Sequence, residues 1–447
     1  MMPIALLKSI SSQIFQNAMP INYYSTSQNA PHVDFETALF QGLAPDGGLY
    51  FPDQFPSFSA NELANLNGRS LPEVGFQVLS KWFGTEIETA VLQKLATEAQ
   101  HFPIPLKKIG PYHILELFHG PTQAFKDVAA QNLSRLMSAF LTQRQEKINL
   151  LVATSGDTGG AIAHGFSNVP NIEVFVLFPK GRVSALQEEQ LTRVADNIHP
   201  VEIDGVFDDC QAMVKQAFND PSLAHLKLTS ANSISIGRLI PQIIYYVYAY
   251  AQLGSANIEF VVPSGNFGNL TGGLFAREMG LPFTSFIAAT NKNDAAVRYA
   301  QSGKYEPRTT IPTLSNAMDV GNPSNFVRIL ELFGHDHGRF NKLIQAFHVS
   351  DEITVATIKA VKANYGYLLE PHTAVGWHIS EQHANPDMDT VIISTASPIK
   401  FAAEIEKATG IPVDNAEAIK ALQTKPVRKT AVSNDYDAFK SILLAER

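Results

Sequence analysis

The run Ile258-Glu259-Phe260-Val261-Val262-Pro263-Ser264-Gly265-Asn266-Phe267-Gly268-Asn269-Leu270-Thr271-Gly272-Gly273 reads as a strand, a glycine-rich loop and the start of a helix. A continuous apolar segment is what a parallel strand buried on both faces requires. The small residues after it let successive backbone N–H groups converge. The helix behind them adds the positive end of its dipole, so the loop is built to cradle an anion, best a dianionic phosphate. The glycines stand as Gly265-x-x-Gly268, which is not the spacing of a dinucleotide fingerprint. No Gly-Lys-Ser/Thr follows, so it is not a P-loop.

The same order recurs upstream. Ile148 to Thr154 is a second apolar run, and Thr154-Ser155-Gly156-Asp157-Thr158-Gly159-Gly160 follows it into a helical segment. This loop suits a carboxylate as well as a phosphate, and an ordinary strand-to-helix turn explains it equally well. Further runs lie at Ile172 to Phe178, Phe283 to Ala289 and Thr390 to Ser394, with helical segments such as Ile236 to Leu253 and Asn269 to Met279 between strands. Strand–helix alternation predicts a doubly wound α/β architecture with ligands beyond the carboxyl ends of the strands. Residues 19–100 read as mostly helical, with a helix from Phe35 that stops at Gly42.

Two cations stand at candidate sites. Lys126 ends the run His119-Gly120-Pro121-Thr122-Gln123-Ala124-Phe125-Lys126 and precedes Asp127, read as the N-cap of a following helix. A lysine fixed and partly desolvated there offers a neutral amine for Schiff-base chemistry. Arg238 falls in the first turn of a helix after Ala231-Asn232-Ser233-Ile234-Ser235-Ile236-Gly237, where a cation opposes the dipole, so an anion is expected nearby. A surface ion pair would explain Arg238 as cheaply.

Composition narrows the class. The 447 residues are 45% hydrophobic and 17% charged, as in a globular protein of two or three domains. The net charge of −8 and the lack of basic runs argue against nucleic acid and anionic membranes. No apolar run reaches the ~18 residues of a membrane span. A single cysteine, Cys210, forbids an internal disulfide and makes a cysteine-based metal site improbable; no metal is expected. A reducing, cytoplasmic setting fits this. Residues 1–18 read as a short extension or as lying upstream of a start at Met19.

Several motifs, in order, resemble the threonine synthases of the bacterial and fungal type, pyridoxal-phosphate enzymes of the tryptophan-synthase-β fold type. They are the Gly47-Gly48-Leu49-Tyr50 region, His119 to Asp127, Ser155 to Gly159, Asn232 to Arg238, Gly265 to Asn269, Asn316 to Phe326, Leu369 to Ala374 and Thr395 to Phe401. The resemblance implies fold type II: two open twisted α/β domains with the cofactor between them, plus a mostly helical N-terminal domain. The expected boundaries are 1–18, 19–100, 101–128 (large domain, first part), 129–240 (small domain) and 241–447 (large domain, second part).

The resemblance also implies roles. Lys126 carries pyridoxal 5'-phosphate and is the catalytic residue. Gly265, Asn266, Phe267, Gly268 and Asn269 cup its phosphate, and Thr395 faces its ring nitrogen. Ser155, Asp157 and Thr158 meet the substrate carboxylate; Asn232, Ser233 and Arg238 meet a substrate phosphate. The implied reaction converts O-phospho-L-homoserine and water to L-threonine and phosphate, in a monomer. Two positions depart from the family pattern: Ser235 replaces an asparagine and Ser397 a histidine. His372 reads as a satisfied core histidine and Cys210 as a packing residue. The alternatives are a phospho-lyase giving 2-oxobutyrate, a hydroxy-amino-acid dehydratase, and a catalytically silent binding homologue.

Overall fold

The computed structural model describes residues 20–154 and 156–445. The expected extension 1–18 and the candidate Ser155 lie outside the described residues.

Two sheets carry the fold. The larger has the order β11-β10-β9-β12-β4-β3, formed by Ile344–His348, Phe283–Thr290, Ile258–Pro263, Asp389–Ser394, Tyr112–Glu116 and Leu106–Ile109. Only the β3–β4 pair is antiparallel. The smaller has the order β13-β7-β6-β5-β8, from Thr430–Ser433, Ile198–Asp204, Ile172–Pro179, Ile148–Ala153 and Leu228–Thr229, all parallel. All residues of β9 are buried, as a strand covered by helices on both faces should be. The five apolar runs in the sequence are thus split between two sheets, and short strands such as β3 and β8 complete them.

The strand order positions the site. β12 lies between β9 and β4, so the segments leaving these three carboxyl ends, at 264–269, 395–400 and 117–126, emerge side by side. The pairing runs past the strand ends, where Ala124 bridges Ala396 and the Leu117 N–H donates to Ser394 O at 3.0 Å.

The helix Phe35–Gln41 starts on Asp34, whose carboxylate accepts from Thr37 N, and stops at Gly42, φ +71°, a left-handed conformation that glycine adopts at least cost. A two-stranded antiparallel ribbon, β1 (Tyr23–Ser25) and β2 (Tyr50–Pro52), joins it. The helices Leu71–Phe83 and Thr89–Ala99 bury Trp82, Phe83 and Leu92 in the same core as Leu133, Met137 and Phe140 of the helix Lys126–Arg144. Trp82 lies flat over Phe275 and edge-on to Phe55. Burying one such ring contributes ~5 kcal/mol.

Three local expectations change. Asp127 is not the N-cap of its helix: the helix opens at Lys126, and the Asp127 carboxylate turns back to accept from Thr122 N at 2.8 Å and Thr122 Oγ1 at 2.6 Å. The helix read from Ile236 to Leu253 is interrupted by a 3₁₀ turn at Ile240–Gln242, because Pro241 has no N–H to give. The stretch 241–447 does not stay with the large sheet. β13 pairs with β7 in the small sheet, and Phe439 and Leu443 of the last helix, Tyr436–Ala445, join the small-sheet core around Cys210 and Met213.

Candidate active site

Lys126 is the first residue of its helix, held by the turn Gly120–Phe125. The Phe125 N–H donates to Thr395 O at 2.8 Å and the Ser397 N–H to Gln123 O at 3.0 Å, so the end of β12 fixes the backbone on which Lys126 stands. The Lys126 ammonium lies 3.7 Å from Asp157 Oδ2. Burial pushes its pKa down; Asp157 opposes this, and the charges of Lys400 and Arg238 reinforce it.

Asp157 opens the helix Asp157–Phe166 after β5. Its Oδ1 is 2.9 Å from Lys400 Nζ and accepts from Gln187 Nε2 at 2.9 Å. Burial alone would raise this carboxyl, but Lys400 and Lys126 overcome it and hold the group well below the usual carboxylate range. The loop before it is fastened by Thr154, whose Oγ1 accepts from Gly156 N and Gly159 N. Thr158 sits in the first turn, half-buried. With its carboxylate engaged by two lysines, Asp157 can meet a bound carboxylate only through its backbone N–H.

The loop after β9 has the geometry of an anion cradle. Phe267 is left-handed, φ +59°, and the helix Gly268–Glu278 starts beside it. The N–H groups of Gly265, Asn266, Phe267, Gly268 and Asn269 meet no acceptor among the described residues. The side chains of Asn266, Phe267 and Asn269 are spent elsewhere. Asn269 accepts from Ser264 Oγ at 2.6 Å and donates to Pro263 O. Phe267 packs edge-on to Phe326. Asn266 donates to Ser233 Oγ at 2.7 Å and accepts from Ser324 N. The segment 316–325 backs the loop so closely that a Cβ on Gly265 would stand 2.7 Å from Met318 Cα.

Asn232 and Ser233 are exposed, whereas Arg238 is only 4% exposed. Arg238 Nη1 donates to Ala231 O at 3.1 Å, its Nε has no partner, and it forms no ion pair among the described residues. Burial alone pushes its pKa down to about 10. A buried guanidinium with spare donors and no carboxylate is suited to receive an anion.

The two departures differ in what their hydroxyls do. Ser397 caps the 3₁₀ turn Pro398–Phe401, its Oγ accepting from Ile399 N. Ser235 precedes the helix Ile236–Leu239 with its buried hydroxyl unpaired. His372 is 2% exposed, bonded to Glu370 through Nδ1 and accepting from Ala317 N through Nε2, so both ring nitrogens are satisfied. Cys210 is buried in the small-sheet core. The residue with no role in the sequence reading is Lys400, whose partners Asp157 and Thr122 come from distant segments.

The arrangement fits pyridoxal phosphate. It offers a desolvated lysine amine, a run of free amides at a helix N-terminus for the phosphate, and the end of β12 between them. Residues 104–396 match the family described as pyridoxal-phosphate dependent enzyme; residues 22–100 match the threonine synthase N terminus and 373–443 the threonine synthase C-terminal family. The threonine synthase of Haemophilus influenzae is 40% identical over 430 residues, covering 95% of this chain and 100% of that one. The crystal structure of the PLP-bound threonine synthase from Brucella melitensis superposes with a TM-score of 0.91 at 37% identity, over 95% of this chain and 98% of that one. The yeast threonine synthase structure gives 0.88 at 32%, over 95% and 99%.

Proposed function

The chain belongs to the threonine synthase family of pyridoxal-phosphate-dependent lyases, and from that premise we propose that its substrate is O-phospho-L-homoserine, converted with water to L-threonine and phosphate. The carrying observation is the convergence on neighbouring strand ends of a lysine amine and a cradle of free amides, with a buried Arg238 that has no carboxylate partner among the described residues and lies close enough for its charge to act on that amine. Two separate anion receivers suit a phosphorylated substrate on a phosphorylated cofactor better than unphosphorylated serine or threonine.

In this reading Lys126 Nζ holds the cofactor and, once displaced by the substrate amine, moves protons at the substrate carbons. The bound cofactor supplies an electron sink for the charge left when a carbon loses its proton. The amides of Gly265 to Asn269 bind the cofactor phosphate, and Thr395 offers its hydroxyl to the ring nitrogen. Ser155, Thr158 and the N–H of Asp157 receive the substrate carboxylate. Arg238, with Asn232 and Ser233, holds the phosphate that leaves. A neutral Lys126 amine near working pH is what proton transfer requires, and its burial beside Lys400 and Arg238 favours that form. A cytoplasmic monomer accompanies the proposal, as the family resemblance of the sequence implies.

The test is incubation of purified protein with O-phospho-L-homoserine while phosphate, threonine and 2-oxobutyrate are followed together. Phosphate matched by threonine is the expected result. Phosphate matched by 2-oxobutyrate would make the chain a phospho-lyase on the same cofactor residues. No phosphate from protein that holds the cofactor would overturn the substrate.

A further inference from the structure

Lys400 is 5% exposed and its side chain is fully buried. Its ammonium reaches three segments: Thr122 O at 2.9 Å in the turn that leads to Lys126, Gln190 Oε1 at 3.5 Å, and Asp157 Oδ1 at 2.9 Å. Thr122 in turn bonds the Asp127 carboxylate. Asp157 and Gln190 stand on helices around the small sheet, whereas Lys400 follows β12 of the large one. One buried ammonium therefore ties both halves of the fold to the turn beneath Lys126.

Its position relative to Asp157 matters most. The carboxylate is shared, with Oδ1 taken by Lys400 and Gln187 and Oδ2 left for Lys126 at the longer distance of 3.7 Å. An isolated Lys126–Asp157 pair would be a closed ion pair in a low-dielectric site, and such a pair holds its proton firmly. A pair with a second cation already on the carboxylate is weaker. It also leaves Asp157 compensated when Lys126 has no charge, so no buried carboxylate is stranded.

We propose that Lys400 is a positioning residue for Lys126: it occupies Asp157 from the far side, so that the carboxylate cannot become the private counter-ion of the cofactor lysine. The inference rests on the reading of Lys126 as that lysine. The charged groups reaching Lys126 are Asp157, Lys400 and Arg238; Lys400 also acts on Asp127 and His164.

The experiment compares the wild type with Lys400→Met and Lys400→Arg at full length. In the cofactor-loaded proteins the absorption of the bound cofactor is titrated with pH, since it follows the proton on the Lys126 nitrogen. In cofactor-free protein, acylation of Lys126 is followed against pH by peptide mass spectrometry. Lys400→Met should raise both midpoints by ~1–2 pH units, as expected when one of two cations sharing a carboxylate is lost. Lys400→Arg should return them most of the way, and Asp157→Asn should move them down. If Lys400→Met does not fold, Lys400→Gln, which keeps a donor for Thr122 O, carries the same expectation. Unshifted midpoints in folded Lys400→Met or Lys400→Gln, or a shift in Lys400→Arg equal to that in Lys400→Met, would overturn the role. Borohydride reduction of the loaded wild type, with mapping of the labelled lysine, separates the two ideas. A label away from Lys126 sinks the reading beneath, and a label on Lys126 with unshifted midpoints sinks only the part given to Lys400.

Discussion

Replacing Arg238 by methionine should move stability and activity in opposite directions. Burial holds the guanidinium at about 10, well under its ordinary value; at ~1.4 kcal/mol per tenfold change, keeping it charged costs the fold ~3 kcal/mol. Methionine keeps the apolar stem and gives up one bond, Nη1 to Ala231 O, at ~1 kcal/mol. The cofactor-free variant should therefore gain ~2 kcal/mol, in line with the effect of removing uncompensated buried charge. At an unfolding entropy of ~2.1 cal/mol/K per residue over 447 residues, calorimetry should show a melting temperature raised by ~2 °C. Against this, a bidentate, charge-assisted grip on phosphate is worth ~4 kcal/mol, so kcat/KM should fall ~10³-fold. A variant that melts lower and keeps its activity would refute the reasoning. Arg238 would then be a structural donor to Ala231, and the substrate phosphate would bind elsewhere.

Gly265→Ala should weaken cofactor binding at least ~10-fold in a fluorescence titration, because its methyl would press on Met318 backbone at 2.7 Å and displace the cradle. Gly268→Ala, with 3.4 Å to the nearest atom, the Asn325 side-chain nitrogen, should cost much less, and an equal loss would contradict the geometry. Burial, with Asp34 and then Glu36 nearby, pushes the Glu86 carboxyl up to about 7. A carboxyl raised in the folded state favours folding while protonated and loses that advantage as pH climbs through 7, so Glu86→Gln should melt like wild type at pH 4 and above it at pH 8. The Cys210 thiol, pushed up to about 12 by burial, should resist iodoacetamide at pH 8 and react at once in urea.

Much of the site was readable before the fold because each anion-binding loop is a local object. A buried strand, small residues and a helix start lie within one contiguous run, as at 258–273. What escaped depends on contacts between distant segments. Lys400 follows Pro398-Ile399 like any turn lysine, and only the folded chain brings it onto Asp157, 243 positions earlier. Asp127 was misread because the capping rule considers only the helix ahead, whereas Thr122 behind it offered two donors. Apolar runs marked strands but not sheet membership, since hydrophobic patterning carries no partner information. Short strands such as β3, with two exposed lysines between half-buried Leu106 and Ile109, gave no apolar run at all. Ser397 was legible only as a departure; its use as the cap of the turn bearing Lys400 shows why a hydroxyl suffices there.

The return of the tail to the small sheet bears on how this polypeptide is made. Until Thr430–Ser433 arrives, β7 has its outer edge open, a row of unpaired N–H and C=O groups that invites another strand. That vacancy persists through synthesis of more than two hundred intervening residues, four of the six strands of the large sheet among them. The nascent chain therefore emerges with a half that cannot be sealed until its last segment has left the ribosome. Truncation shortly before Thr430 should spare every residue assigned to the chemistry and yet yield a sticky, poorly soluble product.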